Sequence, residues 1–249
     1  MKNKNLAIII PARYDSNRLP GKPLVDICGK PMIQWVYEQC KKVKITNNII
    51  IATDDKRIKN IVEAFGGACV ITSRKHKSGT ERVTEVAENL NVKIIINVQG
   101  DEPLINPNLI RVIFRELVHN PKVPIVTLKS KIYTKSEYDN QNVVKVVTDR
   151  YGNALYFSRS KIPYQRKVVN GFLYKHIGIY GYRKEFLMKM KKIKNSFLEK
   201  SECLEQLKIL EEGYDIRVCE VKYDSISVDT PEDLQKVRLF VKHKKRNNN

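Results

Sequence analysis

Short apolar runs alternate with amphipathic stretches along the first half of the chain. Leu6–Pro11 is an uninterrupted apolar run closed by proline and reads as a buried strand. Pro31–Lys42 places Ile33, Val36, Tyr37 and Cys40 at helical spacing, with Pro31 suited to a first turn. The same alternation predicts a strand at Asn48–Ala52 and a helix capped by Asp54 that runs to Phe65 and stops at Gly66-Gly67. It continues with strand Ala68–Ile71, helix Thr80–Leu90, strand Ile94–Val98, helix Pro107–His119 and strand Val123–Leu128. Apolar strands separated by amphipathic helices imply an α/β fold, a mostly parallel sheet covered on both faces and linked by right-handed crossovers. Ligands in such folds bind at the carboxyl ends of strands, so residues 11–30, 72–80 and 99–106 are where chemistry is expected.

The second half is less regular. Val143–Thr148 and Ala154–Ser158 flank Asp149-Arg150-Tyr151-Gly152, a hairpin signal. Strands are expected at His176–Tyr182 and Ile216–Val221, a helix at Ser201–Glu212, and a last helix at Pro231–Val241 capped by Thr230. No linker separates independent domains. The expectation is one α/β domain over residues 1–240. Residues 241–249 are expected to be a disordered basic tail.

Composition narrows the function classes. The 249 residues are 42% hydrophobic and hold only five cysteines with no C-x-x-C pair, which excludes a disulfide framework and fits a reducing, cytoplasmic setting. No apolar run is long enough to cross a membrane, and Leu6–Ile10 is too short for a signal sequence. The formal net charge of +19 raises nucleic acid as a partner. The excess is mostly lysine spread along the chain, without a clustered basic face, and reads as a solvated surface with no specific nucleic acid or membrane partner.

The loop after the first strand, IIPARYDSNRLPGKPL, gathers Arg13, Arg18 and Lys22 around Gly21. Three cations and the amides freed by a glycine turn suit a polyphosphate. Neither G-x-x-x-x-G-K-[ST] nor G-x-G-x-x-G occurs, which argues against an ordinary phosphate loop and a dinucleotide cofactor. Asp101, directly after the fourth strand, and Asp229, before a helix cap, are either magnesium ligands or turn and capping residues. In His76–Arg82, Ser78, Thr80 and the nearby Arg74 can meet a heterocycle or phosphate. The alternative is that Thr80 caps the helix and Arg82 is solvated or paired with Glu85.

These motifs together resemble the sugar cytidylyltransferases, and among them most closely the 3-deoxy-manno-octulosonate (Kdo) cytidylyltransferases, also called CMP-Kdo synthetases. The resemblance runs through ARxxSxRLPGKPL, HKSGTER, NVQGDEP, ALYFSR, HIGIYGYR, LEQL and VDTPEDL, from Ala7 to Val237 in order. It implies a three-layer sandwich with the nucleotide-diphospho-sugar transferase (Rossmann-like) fold. It also implies transfer of CMP from CTP to the anomeric hydroxyl of Kdo, giving CMP-Kdo and diphosphate for lipopolysaccharide biosynthesis. The alternative substrate is another acidic sugar, such as an 8-amino-Kdo relative or sialic acid. By resemblance, Arg13, Lys22, Asp101 and Asp229 are catalytic, with Asp101 and Asp229 binding Mg²⁺. Ala12, Arg13, Arg18, Lys22, Arg74, Ser78 and Thr80 bind CTP. Gln99, Arg159, His176, Tyr180, Glu205 and Gln206 bind the sugar, with Arg159 and His176 meeting its carboxylate. The family also implies a homodimer, with nucleotide contacts concentrated in 1–128 and sugar and dimer contacts in 129–222. Val168–Tyr174 is shorter here than in other members.

Overall fold

A computed structural model describes residues 3–16, 18–167, 171–194, 196–222 and 226–246. Asn17, residues 168–170 of the short Val168–Tyr174 segment, and the last three tail residues lie outside the described residues. The chain forms two compact units, one of residues 1–111 and 225–249 and the other of residues 112–224. The first unit therefore takes in both ends of the chain, and the division falls after Arg111.

The first unit is built on β1 (Leu6–Ala12), whose residues are all buried. After β1 come a 3-10 turn (Lys22–Leu24), the two-residue strands β2 (Asp26–Ile27) and β3 (Lys30–Pro31), and α1 (Met32–Lys42). Then follow β4 (Ile49–Thr53), α2 (Lys56–Ala64), β5 (Ala68–Ile71), α3 (Gly79–Glu88), β6 (Ile94–Asn97) and α4 (Pro107–His119), within which the division falls. The four long strands lie in the order β6-β1-β4-β5 and are all parallel. The registers Ile8↔Ile49 and Leu6↔Ile94 leave β1 flanked on both sides, which is why it reads as an unbroken apolar run. β5 is the exception: Val70 and Ile71 are exposed.

Helix α1 buries Met32, Ile33, Val36, Tyr37 and Cys40, the stripe the sequence predicts. Helix α2 is capped by Asp55, which accepts from the Arg57 amide at 2.8 Å; the expected cap, Asp54, is used elsewhere. The cap of α3 is Ser78, accepting from Glu81 N, and not Thr80.

The C-terminal helix, Pro231–Arg246, packs Leu234, Val237 and Val241 against Met32, Ile27 and Val228. Thr230 caps it as expected: its hydroxyl accepts from Asp233 N at 3.2 Å, and the Asp233 carboxylate accepts from Thr230 N at 3.2 Å. The helix continues through residues expected to form a disordered tail. Buried Val241 anchors its last turns to the core, so the backbone ladder extends past it.

In the second unit β7 (Ile125–Lys131), α5 (Lys135–Asp139), β8 (Lys145–Thr148), β9 (Ala154–Ser158) and β10 (Tyr174–Arg183) follow in order. They are succeeded by α6 (Lys184–Met190), α7 (Phe197–Glu202), α8 (Leu207–Glu211) and β11 (Arg217–Glu220). β7 pairs in parallel with β11 and antiparallel with β10, and β8 and β9 form the expected hairpin. Asp149 closes that hairpin by accepting from the amides of Tyr151 and Asn153 at 2.8 Å each. The helix expected over Ser201–Glu212 is two helices. Cys203 takes a left-handed backbone (φ 52°), ending α7 and starting the turn that carries Glu205 and Gln206.

Candidate active site

In the first unit the strand ends bring distant residues together. β1 ends at buried Ala12, after which Arg13 and Arg18 are exposed. Gly21 adopts φ +65°, a region costly for other residues, and this turns the chain into the 3-10 segment that aims Lys22 back at the sheet. Tyr14 accepts from Gly21 N at 3.2 Å and its ring lies over that glycine.

The loop after β6 approaches β1 so closely that a Cβ on Gly100 would lie 2.7 Å from the Pro11 carbonyl oxygen. That approach sets Asp101 beside Lys22. Asp229 arrives from the other end of the chain because Val228 N donates to the Asp101 carbonyl at 2.9 Å.

The result is a cluster of four charges. Lys22 Nζ donates to Asp101 Oδ2 and to Asp229 Oδ1, each at 2.8 Å, and Arg18 Nη2 lies 3.2 Å from Asp229 Oδ1. Burial works against the Lys22 ammonium, but the charge and hydrogen bond of Asp101, then those of Asp229, outweigh it and raise its pKa. The ammonium between the carboxylates demonstrates that a cation is accommodated there. Two hard carboxylate oxygens, one from Asp101 and one from Asp229, fit what Mg²⁺ takes from a protein when phosphates complete its shell. Among the described residues no group of three or more His, Cys, Asp or Glu is placed for a metal, so any ion here depends on ligands from substrate.

Beside this cluster, Gly79 packs against Pro11 and points toward Gln99 Oε1 (3.8 Å from an ideal Cβ), so Ala12, Ser78, Thr80 and Gln99 share one neighbourhood. Arg74 is exposed on the same loop as Ser78. Arg82 is neither solvated nor paired with Glu85. It is buried, donates to Asp54 Oδ2 at 2.7 Å and to the Thr72 hydroxyl, and Thr72 N in turn donates to Thr53 O at 2.8 Å. Asp54 is thus the half-buried counter-ion of Arg82 that ties the start of α3 to the end of β4, a role its position before a helix disguised.

In the second unit the expected sugar residues gather on β10 and the α7–α8 turn. His176 packs edge-on against Phe157, with centroids 5.1 Å apart, and 5.4 Å from Tyr180. Its Nε2 lies 2.9 Å from Thr127 Oγ1. The same hydroxyl reaches the carbonyls of Ile177 and Ile179, at 3.2 and 2.9 Å. Burial pushes the imidazole pKa down to about 3. A neutral imidazole suits a sugar hydroxyl.

Burial, then Tyr182 and Glu205, raise the Tyr180 pKa well above its ordinary value, so it stays a phenol. The Gln206 amide Nε2 is buried without a hydrogen-bond partner among the described residues, as a donor awaiting an acceptor is. Arg159 is held by Glu202: its Nε donates to the Glu202 carbonyl at 2.8 Å, and its backbone N to the Glu202 carboxylate at 2.9 Å. Lys145, unremarked in the sequence, is fully buried and donates to the carbonyls of Asn140, Val143 and Arg159 at 3.0, 2.8 and 2.6 Å. It fixes the backbone that carries Arg159, and desolvation lowers its pKa.

This fold and these strand-end clusters define a nucleotidyltransferase. The sequence profile of the cytidylyltransferase family matches residues 7–216, and the chain belongs to that family. The 3-deoxy-manno-octulosonate cytidylyltransferase of Pelobacter propionicus is 49% identical over 94% of this chain and 96% of its own. That of Geobacter sulfurreducens is 49% identical over 94% of this chain and 98% of its own. A solved structure of CMP:2-keto-3-deoxy-manno-octonic acid synthetase complexed with CTP superposes with a TM-score of 0.92 at 43% identity, covering 96% of this chain and 99% of that one. The expected nucleotidyltransferase fold is thereby shown.

Proposed function

We propose that this chain transfers CMP from CTP to the anomeric hydroxyl of Kdo, giving CMP-Kdo and diphosphate. The names of its relatives support the reaction. The observation on the molecule that supports it best is the Asp101–Lys22–Asp229 cluster, with both contacts at 2.8 Å, beside a loop carrying Arg13 and Arg18. The reaction needs no covalent intermediate: the sugar hydroxyl attacks the α-phosphorus in line, and the protein's task is to position reactants and spread charge. Arg13, Arg18 and Lys22 bind the triphosphate and stabilise departing diphosphate. Ala12, Arg74, Ser78 and Thr80 take the rest of the nucleotide. Asp101 and Asp229 hold Mg²⁺, which when bound neutralises phosphate charge and favours ionisation of the sugar hydroxyl.

For the sugar, Arg159 is the cation that meets the carboxylate, while Gln99, His176, Tyr180, Glu205 and Gln206 meet hydroxyls. A homodimer formed through the second unit fits exposed Tyr133, Tyr164 and Phe172. No described helix is long and apolar enough to cross a membrane, and the reaction uses water-soluble substrates, in keeping with a cytoplasmic enzyme. The test is diphosphate release with each of four nucleoside triphosphates, with and without Kdo. Release is expected only with CTP, Mg²⁺ and Kdo together. Turnover with sialic acid but not Kdo overturns the substrate.

A further inference from the structure

The position of Lys22 relative to the two aspartates carries a consequence beyond phosphate binding. We propose that Lys22 is a stand-in cation: its ammonium holds the Asp101–Asp229 pair together in the nucleotide-free protein and must be displaced before a divalent cation binds there. The proposal rests on reading Asp101 and Asp229 as the metal pair. The Lys22 side chain is 13% exposed, whereas Asp101 and Asp229 are 32% and 40% exposed, so the ammonium fills the enclosed side of the pair. It makes one hydrogen bond to each carboxylate at 2.8 Å. Arg18 shares the Asp229 oxygen that Lys22 uses, at 3.2 Å. Two positive charges already balance two negative ones, so a divalent ion added without displacement would find no net negative charge to draw it in.

Mg²⁺ gives up its water reluctantly, so it gains little from carboxylates already engaged. A triphosphate changes this balance. It offers Lys22 and Arg18 new anionic partners and brings oxygens for the metal. Lysine suits the exchange because its charge is compact and its stem is flexible. The structure thus assigns the coupling between metal and nucleotide to one side chain: each favours the other because both require Lys22 to leave the carboxylates.

The experiment is Mn²⁺ binding to the full, nucleotide-free chain, read from the loss of the free-ion electron paramagnetic resonance signal. Wild type is expected to bind weakly. Lys22→Met removes the competitor and is expected to bind Mn²⁺ at least about tenfold more tightly, while Lys22→Arg stays weak. A residue serving only to grip phosphate gives no such gain. Lys22→Gln repeats the test if the methionine variant does not fold, as judged by its thermal melt. If a folded Lys22→Met or Lys22→Gln binds no more tightly than wild type, the stand-in role is overturned. The double variant Lys22→Met/Asp101→Asn is expected to lose the gain. A gain that survives Asp101→Asn places the ion elsewhere, and then the metal-pair reading itself fails.

Discussion

The two compact units handle polar chemistry in opposite ways. In the first, formal charges are kept and paired: Lys22 bridges Asp101 and Asp229, Arg18 pairs with Asp229, and all four remain partly exposed. In the second, charge is removed by burial: His176 is neutral, Tyr180 stays protonated, and the Gln206 amide is enclosed. Lys145, the second unit's fully buried cation, has no carboxylate on its ammonium and is satisfied by three carbonyls. The difference matches the ligand parts each is proposed to meet. A triphosphate and a metal ion demand mobile, exchangeable charge. A polyhydroxylated sugar demands fixed donors and acceptors, which a low-dielectric setting sharpens.

The comparison breaks first at Asp101. Asp101→Asn keeps the side chain's shape and removes one of the charges, so turnover is expected to fall at least about 10³-fold, roughly 4 kcal/mol of barrier. The melting temperature should hold, since the Val228 link uses the Asp101 backbone carbonyl. Steady-state diphosphate release beside a thermal melt checks both. Activity within about tenfold of wild type would remove Asp101 from the metal site.

The second unit is expected to fail in acid. The folded His176 pKa lies near 3, below the ordinary value of 6.5. Protonation therefore favours the unfolded chain, and the stability linked to the neutral ring is complete above pH 6.5 and lost as pH falls toward 3. For this partly exposed residue we expect about 3 kcal/mol over that range. Urea melts of wild type and His176→Gln between pH 4 and 7.5 test it: the gap between them should change with pH. Parallel curves would mean that His176 is not the group responsible.

How much of this was legible in the chain differs between the units for the same reason. Parallel strands buried on both faces are written as unbroken apolar runs, so β1, β4 and β6 could be read to within a residue or two. β7, β10 and β11 pair across long separations, and nothing local states which neighbour each takes or in which direction. Helix α6 and the break at Cys203 are set by tertiary contacts. The capping error at α2 arose because Asp54 and Asp55 are adjacent and equally good caps. The candidate site residues were proposed from motifs, but motifs do not state that they meet: Lys22 reaches Asp229 across 207 positions. Thr127, Asp54 and Lys145 were missed because each looks ordinary locally, as a β-branched strand residue, a cap and a strand lysine.

Lysines sharpen the contrast at smaller scale. Lys145→Met leaves buried carbonyls without their donor and is expected to cost roughly 2–3 kcal/mol. Lys30 in the first unit pairs with Glu38 at 2.7 Å but is 40% exposed, and Lys30→Met should cost under about 1 kcal/mol. Chemical denaturation of the two variants ranks them. A reversed order would mean that the Lys145 tripod contributes little.

The smallest effect is expected from removing the end of the C-terminal helix. Truncation after Val241 deletes Lys242, His243 and Lys244, which are exposed, together with the residues beyond them. Val241 itself is 4% exposed and remains to close the core formed with Met32, Leu234 and Val237. The deleted turn begins thirteen residues from Asp229, about 20 Å along a helix rising 1.5 Å per residue, beyond direct reach of the carboxylate pair. Stability should therefore change by less than about 0.5 kcal/mol, the usual range for surface positions, and CTP turnover should stay within about twofold. The deletion also removes several positive charges from a chain of net charge +19, so residual binding to duplex DNA should weaken and stay steeply salt-dependent. A salt titration of DNA binding beside the turnover assay separates the outcomes. Sequence-selective DNA binding near 0.15 M salt, where the Debye length is about 8 Å, would make the positive surface a second functional face. A large fall in turnover would show that the helix end acts on the paired charges of the first unit.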